Sequence, residues 1–129
     1  MSQLSNYLEN KLIEHVLRNV SYTSPAAVYV ALYTDDPTDA DAGTEVAGNA
    51  YARQAATFGV ASNGVVTTTA DITFPVANGG NWGTITHVGI RDDDTGGNLL
   101  FHGPLAVSKT INEGDQFKML TGNLTATLA

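Results

Sequence analysis

Leu4, Leu8, Leu12 and Val16 recur every four residues, and Ile13, Leu17 and Val20 fall on a second stripe when the chain is wound at 100° per residue. The spacing predicts an N-terminal amphipathic helix within residues 1–20. Ser2 or Ser5 can cap its start, Glu14 and Arg18 form an i,i+4 pair, and Asn19 marks its end. One stripe is expected against the helix's own domain; the other can widen that buried face or meet another subunit.

After "SYTSPAA" the period changes to two. "AVYVALYT" is apolar on both faces and reads as a central strand covered on each side. An acidic loop follows, then strands in "YARQAATF", "VVTTTADITFP", "TITHVGIRD", "LLFHGPLAV", "QFKML" and "LTATLA". Asn63–Gly64, "DDTGGN" and "SKTINEGD" supply the turns, and "ANGGNWG" is a loop by composition. In "TITHVGIRD", strict alternation puts Ile85, His87 and Gly89 on one face, with Val88 and Ile90 on the other. The expected architecture is mainly β: an antiparallel sandwich or flattened barrel of about seven to nine short strands preceded by one helix. Residues 1–129 read as a single domain, with the helix in 1–20 and the sandwich in 26–129.

Charge narrows the possible partners. Six basic residues face 13 acidic ones, a formal net charge of -7 that repels phosphate backbones and anionic lipid. No nucleic-acid or membrane partner is expected. The absence of cysteine removes disulfides, thiolate nucleophiles and Cys-ligated zinc, and suits synthesis in a reducing cytoplasm. Glu9, Lys11, Glu14 and Arg18 interrupt the early apolar residues, against a signal peptide.

Candidate chemistry concentrates in "DDPTDADAGTE", where Asp35, Asp36, Asp39, Asp41 and Glu45 crowd together. An EF-hand register fails from Asp35, which puts Pro37 at position 3, and from Asp39, which puts Ala50 at position 12. The composition favours a solvated loop between strands, with a non-EF-hand calcium site as the competing reading. Asp92, Asp93 and Asp94 read as hairpin-tip residues. His87 and His102 lie on strands that can pair across that tip, so their imidazoles are expected on one face. No nucleophile elbow or phosphate loop is present, and no catalytic residue, metal ligand or cofactor is assigned. Trp82 is either an exposed platform or a plug at one end of the core.

The blocks "NYLENKLIEHVLRN", "YVALYTDDPTDADAGTEV", "AYARQAATF", "ITFP", "NWGTITHVGIRDDDTGGNLLFHGPL" and "KTINEGD" run collinearly over essentially the whole chain. They resemble a family of small tailed-bacteriophage virion proteins, often labelled tail-fibre or minor structural proteins. The resemblance implies a non-enzymatic structural component of the virion, made in the host cytoplasm, with no cofactor and with capsid or tail proteins as partners. A chain this short has no room for a repetitive shaft, so a capsid decoration (cement) protein or a small tail-fibre-associated piece is expected. Symmetric sites on a particle favour a homo-oligomer, such as a trimer. Leu12, Ile13, Val16, Leu17 and Trp82 are the residues expected at protein–protein contacts. The alternative is a lectin-like glycan-binding module for receptor recognition, with Trp82, Tyr51 and the two acidic loops forming a calcium-assisted tip.

Overall fold

The computed structural model describes residues 2–128. Met1 and Ala129, which end the expected helix and sandwich ranges, lie outside the described residues. The elements in chain order are β1 (Gln3–Leu4), α1 (Asn6–Leu17), β2 (Val28–Tyr33), β3 (Gln54–Ala56), β4 (Val65–Thr67), β5 (Ile72–Val76), β6 (Gly83–Arg91), β7 (Leu99–Ile111), β8 (Gln116–Met119) and β9 (Thr125–Thr127).

Because β2 is apolar on both faces, it sits inside a five-stranded antiparallel sheet ordered β1-β7-β6-β2-β3. Its inward residues Val30 and Leu32 are completely buried and share one core with Ile85, Val88 and Ile90 of β6. Two antiparallel ribbons, β4–β9 and β5–β8, close that core from the other side with Ile72, Phe74, Phe117 and Ala126. The arrangement is the expected β architecture with its N-terminal helix. The opposite face of the large sheet carries Ala31, Tyr33 and Leu99 in a smaller buried cluster. Gly89 lies opposite Ala31, and a Cβ there would come within 2.7 Å of Leu99 Cδ1 and 2.8 Å of Tyr33 Cε2. Only glycine lets this second layer pack so closely.

The turns follow their residues. Asn63 and Gly64 both take positive φ (54° and 77°), as a two-residue hairpin turn requires, and Ser62 and Val65 bond each other across it at 3.0 Å in both directions. The "DDTGGN" turn joins β6 to β7 as expected.

Several boundaries differ from the sequence reading. The strand in "YARQAATF" shortens to Gln54–Ala56, because Tyr51 and Arg53 turn away to hold Glu45. Strand β7 continues to Ile111, since Lys109, Thr110 and Ile111 pair with the first residues of β6. Ile85 joins Val88 and Ile90 in the core, against strict alternation, because the β6–β7 ladder shifts register between Ile85 and His87. Among the described residues, no helix is long and apolar enough to cross a membrane.

Candidate functional site

The acidic stretch is folded onto the sheet. Its base is a continuation of β2: Tyr33 bridges Glu45, Thr34 N–H donates to Thr44 O at 3.1 Å, and Val46 N–H donates to Leu32 O at 3.0 Å. Within the loop, Asp35 accepts from Thr44 N–H at 2.6 Å and from its hydroxyl at 3.2 Å. Asp36 accepts from Thr38 N–H at 2.9 Å, the local turn that short acidic side chains favour. Pro37 is buried, and a Cβ on Gly43 would meet Pro37 Cα at 2.5 Å, so the two arms of the loop are in contact.

The remaining carboxylates bind the loop to other elements. Asp41 receives a fork of two bonds from Arg91, at 2.8 and 2.9 Å, and Arg91 also donates to the Tyr33 hydroxyl at 2.9 Å. Glu45 receives a second fork from Arg53, at 2.8 Å to each oxygen, and a 2.6 Å bond from the Tyr51 hydroxyl. Both guanidiniums reach the β6–β7 turn as well: Arg53 donates to the carbonyls of Asp93 and Gly96, and Arg91 to those of Gly96 and Gly97. Planar donors of this kind satisfy a carboxylate and neighbouring carbonyls together, and so fasten the two acidic segments to each other. Burial works against the Arg91 charge, yet the bonds to Asp41 and Tyr33 raise its pKa above the ordinary arginine value. Burial also raises the Tyr51 phenol well above its usual range, and the bond to Glu45 adds to the shift.

His102 makes the third attachment. Its ring is buried, with Nε2 2.7 Å from Asp39 Oδ1 and Nδ1 3.8 Å from Asp36 Oδ1. The backbone carbonyl of Asp39 accepts from Asn6 N–H at 2.8 Å, so the loop also touches the start of the helix. The pairings His87↔Pro104 and Gly89↔His102 put His87 and His102 on one face, as expected. The two rings do not meet: His87 bonds the hydroxyl of Thr86 at 2.8 Å.

The loop faces solvent, as expected, with Asp35, Asp36, Thr38 and Asp41 among its exposed residues, and these contacts add that it is fastened to the sheet. Every carboxylate from Asp35 to Glu45 is a hydrogen-bond acceptor, and three of them are paired with side chains of the sheet and its neighbouring strand. Among the described residues, no group of three or more histidine, aspartate or glutamate side chains is arranged to hold a metal ion. Single residues gave the sequence reading no sign of the arginine clamps. Arg53 and Arg91 lie eight and 50 residues from their carboxylates.

Trp82 is a plug of the core. It is 5% exposed, its Nε1 donates to Asn49 O at 2.9 Å, and it packs edge-on to Tyr51 at 5.4 Å and to Phe74 at 6.4 Å. The exposed Trp82–Tyr51 tip of the lectin-like alternative does not form, because both rings face inward.

The helix is the opposite case. Ser5 caps it, accepting from Leu8 N–H at 3.2 Å and donating to Leu99 O. Asn19, at φ 56°, ends it, and Val20 N–H returns to Glu14 O at 3.1 Å. Leu8 is buried and Leu12 half-buried, so the first stripe packs on the sheet in its early part, while its last member Val16 stays exposed. Beyond them Ile13 (56% exposed), Val16 (71%) and Leu17 (76%) form a short exposed apolar ridge at i, i+3 and i+4 of the helix, and Val20 (46%), past the helix end, is exposed as well.

No curated protein matches the chain. A family model described as podophage GP4 fiber I protein gp80 matches residues 3–127, nearly the whole length, and the chain belongs to that family.

Proposed function

We propose that the chain is a non-enzymatic structural protein of a tailed-phage particle. In this reading it is a fibre-associated component that works by protein–protein contact and self-assembles through α1. The observation that carries the reading is the uncovered ridge of Ile13, Val16 and Leu17 on a member of a phage fibre family. Water-exposed apolar side chains in a contiguous row mark contact surfaces in proteins that do not aggregate. The described ionisable clusters are occupied in holding the fold, which supports a structural role over a catalytic one. Fibre association is favoured over capsid decoration because the matching family is described as a fibre protein.

Light scattering coupled to size exclusion tests the proposal. The wild-type chain should elute as a closed homo-oligomer, a trimer being the simplest case. Leu17→Asp should elute as a folded monomer, with stability changed by no more than about 0.5 kcal/mol, as for an exposed position. A wild-type monomer at all concentrations would remove the self-assembly reading. Unfolding of Leu17→Asp would mean that the ridge belongs to the core.

A further inference from the structure

The first residues of the chain fill a seam between the large sheet and the β4–β9 ribbon. Ser2 Oγ accepts from Thr127 N–H of β9 at 2.8 Å, β1 pairs with Phe101 and His102 of β7, and Ser5 N–H donates to Leu100 O at 2.9 Å. Ser5 is 1% exposed, and its hydroxyl donates to Leu99 O while it caps the helix. Asn6 N–H reaches Asp39 O, and Leu8 is buried below. An empty seat would leave this stretch of β7 as a bare strand edge.

The chain leading away from the seat is held far less. Residues 21–27 form no helix or strand and make no backbone hydrogen bond with the described chain. Five of the seven are exposed, with Tyr22 and Pro25 half-buried. Fully extended, they reach about 23 Å. Pro25 favours an extended Ser24 and has no N–H to donate, so the tether is built for a crossing. A specific seat joined to its element by an unbonded tether is the arrangement in which copies trade identical elements.

We propose that residues 2–18 are an exchange arm: β1 and α1 of one copy occupy the seat between β7 and β9 of a second copy. This inference rests on the self-assembly reading and names the contact that joins the copies. The buried area is matched by construction, since an exchanged arm makes the same contacts one for one. Charge does not oppose the exchange. Glu9 and Glu14 are balanced within the arm by Lys11 and Arg18, so the arm is neutral and the net charge of -7 lies on the rest of the chain. The ~23 Å reach of the tether is about three Debye lengths at physiological salt, so the acidic bodies are largely screened from each other while an arm crosses. Leu17 closes α1 just before the tether, which puts the exposed end of the helix where the chain passes from one body to the next. Arms traded in pairs give a dimer, and arms passed round a circle give a ring.

The chain has no cysteine, so disulfide trapping reads the exchange without background. Leu4 and Phe101 stand directly opposite in the β1–β7 ladder. Opposed residues of antiparallel strands have Cα atoms about 4.5–5.5 Å apart, within the ~4.4–6.8 Å that a disulfide spans. Leu4→Cys and Phe101→Cys chains, refolded together and mildly oxidised, should give about tenfold more covalent dimer than either alone, since the seat holds the two thiols together. A chain with both substitutions should run on a non-reducing gel as a covalent oligomer of the size found by light scattering.

An oligomer whose disulfides all lie within single chains would overturn arm exchange and leave self-assembly standing. A monomer by light scattering would overturn both readings. Absence of any disulfide would show that β1 does not lie on β7, and would overturn the exchange as well. Phe101 is half-buried, so Ser2→Cys with Thr127→Cys gives a second pair across the same seat, at positions with small side chains, and the same outcomes decide it.

Discussion

The loop from Asp35 to Glu45 and the segment from Ile13 to Val20, which holds the last turn of α1 and the residues after it, are both surface segments, but they stand in opposite states. In the loop, groups that look reactive in sequence are consumed: five carboxylates accept from backbone N–H groups, two arginines, a histidine and a tyrosine. In the helix, ordinary aliphatic residues are left unconsumed. Charge density therefore points to the strongest internal fastening here, and functional potential lies in the surface the fold does not use. Carboxylates held by forked arginines have little capacity left for a ligand, whereas uncovered apolar side chains still gain by leaving water.

The largest expected effect comes from breaking the fastening. Arg91→Ala leaves Asp41 and the Tyr33 hydroxyl without their donor. The cost should be about 3 kcal/mol, the low end for a broken buried pair, because Asp41 retains access to water. Urea denaturation reads it directly. A loss under 0.5 kcal/mol would show the loop to be as loosely held as an ordinary one. Next comes the joint between the two regions. Ser5→Ala removes both the helix cap and the bond to Leu99 O, and should cost about 1–2 kcal/mol while freeing the first turn to hydrogen exchange. Retained protection of that turn would mean that Leu8 alone holds the helix down. The smallest expected effect is that of calcium. With the loop carboxylates already engaged, the melting temperature should stay unchanged as calcium is added, and a rise that grows with concentration would reveal a cation site. Together with Leu17→Asp, whose effect belongs to assembly and not to stability, these measurements separate a fastened region from a free one.

Local pattern made the secondary structure legible. The two-faced apolar run of β2, the Asn63–Gly64 turn and the helix stripes each rest on neighbours in sequence, so their signals lie in a few consecutive residues. The strand limits at Ala56 and Ile111, and the displaced Ile85, were decided by pairing with distant strands. The same holds for the sites. By itself the sequence determined that the chain carries an acidic loop, a helix with two stripes and no catalytic motif. Tertiary structure decided that the first stripe packs down only around Leu8, leaving Val16 exposed with the second stripe, that Trp82 points inward, and that Arg53 and Arg91 close on the carboxylates. Hydrophobic period and turn chemistry act over a few residues. Charge pairing and burial depend on which strands become neighbours, and only the packed sheet sets that.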